Sequence, residues 1–107
     1  MADWLGEFEQ IVLFAVAQVE DAYGATIREA IEVRTGRQVS AGAVYTTLDR
    51  LEARGLVASW WGDPTPERGG KRKRHFRLRA AGRDALARSW QALRAMARGL
   101  DLKAAKS

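Results

Sequence analysis

The segment from residue 40 to residue 78 constrains the fold of this chain more than any other, because it passes from a helical pattern to two extended ones. Three apolar residues of its first part recur at spacings of four and three: Val44, Leu48 and Leu51. Such spacing predicts a helix with one narrow buried face. Ser40 is suited to cap the start of this helix, and Gly55 to end it.

Two strands are predicted after that helix. Residues 56–61 are rich in apolar and aromatic side chains, and residues 73–79 alternate, with Phe76 and Leu78 on one face. The proline and glycine residues of segment 62–70 predict a loop between the strands. Trp60 and Trp61 are adjacent and must point to opposite faces, so we expect one to be buried and the other partly exposed.

Three further helices are predicted, two before this segment and one after it. Apolar spacing indicates helices over residues 4–19 and from Tyr23 to a cap at Gly36. A last helix from Ala80 has apolar residues at steps of 4, 3, 4 and 3, as in a coiled-coil seam. This order of elements, three helices, two strands and a helix, predicts a mainly α, winged helix-turn-helix fold. In it, we expect residues 1–79 to form the DNA-binding domain and residues 80–107 to form a dimerisation helix and tail.

Charge is unevenly distributed along the chain. Residues 1–33 contain seven acids and one base, whereas residues 34–79 contain eleven bases and four acids. A localised excess of cations is typical of a surface that binds a polyanion, although a merely solvated face would have the same composition.

Several functional classes lack support in the sequence. The chain has no cysteine, its single His75 lies in a run of arginines, and its serines form no recognisable catalytic set, so we expect no enzyme, no metal site and no cofactor. It has no apolar run of membrane-spanning length and no basic signal-peptide start. We therefore expect a cytoplasmic protein without a membrane partner.

The third helix supplies the first set of candidate DNA contacts. Its N-terminal half and outer face carry Ser40, Gly42, Ala43, Tyr45, Thr46 and Arg50. Hydroxyls and backbone N–H groups at a helix start suit phosphate, and an arginine suits guanine. Arg50 has no acid three or four residues away, so an ion pair along its own helix is excluded. Two of these residues have an alternative interpretation. Gly42 is otherwise a glycine that the helix start tolerates without a functional role, and Tyr45 is otherwise an aromatic residue at the edge of the core.

The second set lies in the loop and the start of the second strand, where cations are concentrated in Lys71, Arg72, Lys73 and Arg74. Only Asp63 and Glu67 are nearby in sequence, so local acids cannot neutralise all of them, and phosphate contact is the natural use. The alternative is a solvated loop whose lysines aid solubility.

A dimer interface is predicted from the apolar faces of the first and last helices. The expected contacts are Phe8, Val12, Leu86, Trp90, Leu93, Ala97 and Leu100. Trp90 is either part of this packing or a flat aromatic that lines a cavity for a ligand between subunits.

Six sequence segments carry a family resemblance: residues 5–13, Tyr23-Gly24 with Ile27, residues 40–51, residues 55–57, residues 71–78 and residues 80–82. In these segments the chain resembles the PadR family of bacterial transcriptional regulators. The resemblance implies a homodimeric repressor that binds an inverted repeat, with Ser40, Gly42, Tyr45 and Thr46 facing DNA beside a wing at residues 71–74. It also implies that a small hydrophobic effector could bind at Trp90. His75 departs from the family, which often has an aromatic ring there, and the single last helix matches the short subgroup.

The function expected from these features is sequence-specific binding of double-stranded DNA by a homodimeric transcriptional regulator. A winged-helix module that binds protein partners through its basic wing is the alternative.

Overall fold

The protein, seen in a computed structural model that describes residues 4–63 and 72–103, has the predicted order of elements. These are α1 (Glu7–Gln18), α2 (Gly24–Thr35), α3 (Ala41–Ala53), β1 (Val57–Trp61), β2 (Arg74–Leu78) and α4 (Ala80–Ala97). The predicted mainly α, winged helix-turn-helix fold is confirmed. None of the helices in the described ranges is long and apolar enough to cross a membrane.

The ends of the second and third helices follow from local chemistry. The Ala43 N–H donates to Ser40 Oγ at 3.0 Å, which confirms Ser40 as the N-cap of α3. Gly36 ends α2 with a φ of 73°, and its N–H donates to the Glu32 carbonyl, which confirms the predicted cap. A glycine adopts this left-handed conformation without the steric cost that other residues incur.

The core lies where α1, α2 and α3 meet the base of the strand pair. Its fully buried side chains are Val12, Leu13, Ile27, Ile31, Val44, Leu48, Leu51 and Val57. The predicted stripe of α3 is therefore the face that packs inward. α4 packs against α1 and adds Ala85 and Leu86 to this core. Near its start, Gly82 lies directly against the Leu56 carbonyl, which leaves no room for a side chain.

The two strands form an antiparallel wing attached to the helical part. Val57 pairs with Leu78 at its base and Trp61 pairs with Arg74 at its far end. On the outer edge of β2, the Phe76 N–H donates to the Ala22 carbonyl at 2.9 Å. The segment just before α2 therefore holds the wing from the side.

Two details differ from the sequence predictions, and His75 makes contacts that the sequence did not indicate. Trp60 and Trp61 are 47% and 59% exposed, so the expectation that one is buried is wrong: both lie at the far end of β1, beyond the reach of the core. His75 is not a solvated side chain among arginines. Its ring stacks on Trp60 with centroids 5.6 Å apart, and its Nδ1 lies 2.9 Å from Asp21 Oδ1. α1 begins at Glu7, which leaves Trp4 outside it and exposed.

Candidate nucleic-acid interface

The outward face of α3 is exposed to solvent at the N-terminal end of the helix. The predicted contacts Ser40, Gly42, Ala43, Thr46 and Arg50 are all exposed, because the inward stripe places them on the other side of the helix. A Cβ built on Gly42 would meet no heavy atom of the protein within 4 Å. Gly42 is therefore not required by packing inside the chain, and the space above it is open to a partner.

Tyr45 stands at the border between this face and the core. Its ring lies over Gly24 so closely that any side chain at Gly24 would overlap it. Its ring centroid is 6.5 Å from that of Phe76. Tyr45 therefore packs at the edge of the core, and the exposed part of its ring lies on the outer face of α3.

Arg50 is an exposed cation on the outer face. Within residues 4–63 and 72–103, no carboxylate pairs with it. Its guanidinium is therefore available to a ligand that approaches α3.

Two of the predicted wing cations, Arg72 and Lys73, lie in the described residues and are exposed. Arg72 Nε donates to the Gly62 carbonyl at 2.9 Å, and no carboxylate among residues 4–63 and 72–103 forms an ion pair with it. Lys73 Nζ lies 4.4 Å from the centroid of the Tyr23 ring, a cation–π contact. Lys71, the remaining loop cation of the predicted set, lies outside the described residues.

Arg74 differs from its predicted role. Only 21% of its side chain is exposed, and its guanidinium binds Asp49 at 2.8 Å and also Glu52. It lies over the Phe76 ring at 5.0 Å. The prediction considered only acids near in sequence, whereas the fold brings the acids of α3 against the start of β2. Arg74 therefore connects the wing to α3 and is not a free cation for phosphate.

The same contacts shift two pKa values. A hydrogen bond from Ser59 Oγ, followed by the Arg74 guanidinium, lowers the pKa of the Glu52 carboxyl against the opposing effect of desolvation. Desolvation lowers the pKa of Arg74, but the hydrogen bonds to Asp49 and Glu52 outweigh it, so the net shift is upward. Both shifts favour the charged forms, and the connection is an ion pair at neutral pH.

This shift predicts a pH-dependent contribution of Glu52 to stability. Because the pKa of Glu52 is lowered in the folded state, its contribution is present above the ordinary value of 4.5 and is lost as the pH falls through the folded-state pKa. Glu52→Gln should lower the free energy of unfolding at pH 7 by up to about 1 kcal/mol, since the pair is partly solvated. Urea titrations from pH 7 to pH 3 should show the variant and the parent converging in acid. Glu29→Gln, on the exposed side of α2, is the control, and a pH-independent difference for Glu52→Gln would contradict this assignment.

The predicted dimer contacts fall into three groups by exposure. Val12 and Leu86 are buried in the protomer's own core, so their assignment to an interface is corrected: the sequence pattern could not tell an inward position from an outward one. Phe8 and Ala97 are half-buried. Trp90, Leu93 and Leu100 are exposed, and Met96, which the prediction omitted, extends this apolar surface of the last helix. Its spacing of three residues after Leu93 and four before Leu100 is the signal that would have identified it.

An apolar cleft of about 400 Å³ lies beside this surface. It is lined by Ile11, Phe14, Ala15, Gln18, Arg34, Thr35 and Trp90. The rings of Phe14 and Trp90 meet edge to face, with centroids 6.0 Å apart. Over the described ranges, no group of histidine, cysteine, aspartate or glutamate residues could hold a metal ion.

Comparison with known proteins places this arrangement in a family. Residues 12–88 match the model of the transcriptional regulator PadR-like family. A PadR family regulator from Eggerthella lenta is 25% identical, with a TM-score of 0.70 over 87% of this chain and 77% of that one. One from Clostridium difficile is 24% identical, with a TM-score of 0.68 over 83% and 90%. A PadR-like regulator from Bacillus cereus is 19% identical, with a TM-score of 0.67 over 91% and 93%. No curated protein is similar enough in sequence to match.

Proposed function

The chain belongs to the PadR-like family of transcriptional regulators, and on this premise we propose that it binds a specific double-stranded DNA sequence as a homodimer and represses transcription. The observation that carries the proposal is the open outer face of α3 on the same small domain as exposed cations of the wing. A surface free of side-chain bulk is suited to enter the major groove, and cations beside it are suited to hold the phosphates.

Each part of this surface has a separate role in the proposal. The start of α3, with Ser40, Gly42 and Thr46, approaches the DNA backbone through its N–H groups and hydroxyl. Arg50 reads guanine, which presents two acceptors to a guanidinium in the major groove. Arg72 and Lys73 hold flanking phosphates together with Lys71. Arg74 holds the wing in place and does not contact phosphate.

The proposed homodimer is supported by the exposed apolar side chains of the C-terminal helix and the segment after it. Trp90, Leu93, Met96 and Leu100 are all solvent-exposed in the single protomer. Apolar residues grouped in this way commonly mark an interface, and a second copy of the chain would remove them from water. Two copies related by a twofold axis read an inverted repeat, whose half-sites are about 34–36 Å apart when they lie in successive major grooves.

A small hydrophobic effector is the proposed signal for release. The cleft between Phe14 and Trp90 adjoins the same exposed surface of α4, so a ligand there would touch both the protomer's core and the dimer interface. Binding would change the distance between the two copies of α3 and lower the affinity for DNA. Isothermal titration with planar aromatic compounds, with Trp90→Ala as the variant that should lose binding, tests this step.

The DNA-binding proposal is tested by the dependence of affinity on salt. Arg72→Ala combined with Lys73→Ala should weaken binding to all sequences by roughly 10- to 100-fold and should reduce the slope of log affinity against log salt by about 2, because two phosphate contacts are lost. Fluorescence anisotropy with a labelled duplex at several salt concentrations measures both quantities. Arg88→Ala combined with Lys103→Ala removes two exposed cations elsewhere and should leave the slope near that of the parent.

An unchanged slope in the wing variant would refute the assignment of Arg72 and Lys73. If the parent protein binds no duplex more tightly than random DNA at moderate salt, the DNA-binding proposal itself fails. A module that binds acidic protein surfaces through the wing would then be the better interpretation.

A further inference from the structure

One acidic side chain lies on the surface proposed to meet DNA. Asp49 follows Thr46 by three residues on α3 and precedes Arg50, so it shares their outward side of the helix. Its side chain is 61% exposed. A carboxylate on a phosphate-binding surface is repelled by the DNA backbone, so its presence there requires an explanation.

Arg74 holds this carboxylate in a defined position. Its Nη1 lies 2.8 Å from Asp49 Oδ1. Arg74 is itself fixed, because its Nε donates to Ser59 Oγ at 3.2 Å and its other terminal nitrogen binds Glu52. Asp49 is therefore supported by a rigid group from the wing, which also compensates its charge.

The second oxygen of Asp49 is available. In the described residues, the guanidinium of Arg74 bonds to Oδ1, and no donor occupies Oδ2. A carboxylate accepts hydrogen bonds and cannot donate them at neutral pH. Its partner on a base must therefore be a donor.

The major groove offers few partners of this kind. Guanine presents two acceptors there and thymine presents an acceptor and a methyl group, so both disfavour a carboxylate. Adenine has one donor but places an acceptor next to it. Cytosine presents its N4 amino group as a donor without an adjacent acceptor on the same base, and carboxylates are used to read it.

We propose that Asp49 determines specificity by accepting a hydrogen bond from cytosine N4 in each half-site, with Arg74 as its positioning residue. This inference rests on the proposed function, since it assigns a base to a surface proposed to read DNA. It also gives the ion pair between α3 and the wing a role in recognition, beyond holding the two elements together.

Selection of bound fragments from random duplex DNA, carried out in parallel with the parent, Asp49→Ala and Asp49→Asn, tests the proposal. The parent should show a cytosine at one position of each half-site. Asp49→Ala should lose the preference at that position alone, a change of roughly 5- to 100-fold in discrimination for one base pair. Asp49→Asn should shift the preference towards adenine, because an amide pairs with its donor and acceptor together. Glu29→Ala, on α2, is the control and should select the same sites as the parent.

Arg74→Met provides the second arm, with thermal unfolding to verify that the variant is folded at the temperature of the assay. A positioning role predicts a reduced cytosine preference at the position read by Asp49, with the other positions retained. A merely structural role would weaken every position of the site to a similar degree.

The proposal is overturned if Asp49→Ala keeps the base preferences of the parent at every position and binds all sequences more tightly. Asp49 would then act only by repelling phosphate. This result is distinct from a failure of the proposed function, in which the parent itself would select no sequence.

Discussion

Replacing Leu93 with glutamate should convert the proposed homodimer into monomers. Leu93 is 51% exposed and lies between Trp90 and Met96 in the apolar surface of α4. A carboxylate buried there without a partner would lose its hydration, at a cost of several kcal/mol for each copy. Sedimentation velocity at micromolar protein concentration should show a species with half the mass of the parent.

The loss of the dimer should also lower the affinity for an operator with two half-sites by at least about 100-fold, because the second half-site no longer binds as part of the same complex. Arg88→Glu is the matched control, since it places the same carboxylate at an exposed position of the same helix, away from the apolar surface. A Leu93→Glu variant that remains dimeric would show that another surface joins the two copies.

Replacing Gly42 with glutamate should abolish DNA binding while leaving the fold intact. A Cβ at this position meets only open space, so the protein itself tolerates a side chain there. Removing a glycine from the first turn of a helix should raise the free energy of unfolding by about 0.5–1 kcal/mol. The side chain would, however, project from the surface proposed to approach DNA, and its charge would repel the phosphates. We expect the affinity to fall by more than about 100-fold, a loss that exceeds a single mismatched base pair.

Gly42→Glu should therefore raise the stability of the protein while it lowers the affinity for DNA, so a loss of binding cannot be caused by unfolding. Thermal unfolding should show a transition temperature raised by about 2–8 °C, and the same preparation should fail to shift a labelled operator. Gly42→Ala is the control, with a similar gain in stability and a smaller loss of affinity. If Gly42→Glu binds within about threefold of the parent, the start of α3 does not approach DNA, because a buried contact of this kind cannot accommodate a charged side chain.

Local patterns were sufficient to predict most of the fold. The spacing of Val44, Leu48 and Leu51 identified the inward face of α3, and Ser40 and Gly36 fixed two helix ends, because caps and periodicity depend on residues close together in the chain. The outward positions of α3 followed from the same periodicity. For this reason all six predicted contacts at that helix were found exposed, with Tyr45 the least so.

Contacts between distant segments were not predictable in the same way. Asp49 and Glu52 precede Arg74 by 25 and 22 residues, and they meet because β2 pairs with β1, which packs against α3. The partner of His75, Asp21, is farther still along the chain. Likewise the heptad pattern of the last helix identified apolar positions but did not show which of them face the protomer's own core. Leu86, which is buried, and Leu93, which is exposed, therefore received the same prediction.

Arg74 joins the wing to α3 in this protein. The cations near the wing tip divide accordingly: Arg72 and Lys73 are exposed, whereas Arg74 is committed to the acids of α3. A shift in the position of the wing would therefore move the guanidinium that supports the Asp49 carboxylate.

The DNA sequences that the purified protein enriches from a random duplex pool test the central claim most directly. Two copies of α3 in successive major grooves predict an inverted repeat whose half-site centres are about 10 bp, or one helical turn, apart. Enrichment of such a repeat would support the proposed DNA-binding surface, the proposed dimer and the proposed function together. Recovery of no preferred sequence, or of a single unrepeated half-site, would contradict the proposal that this protein is a twofold reader of DNA.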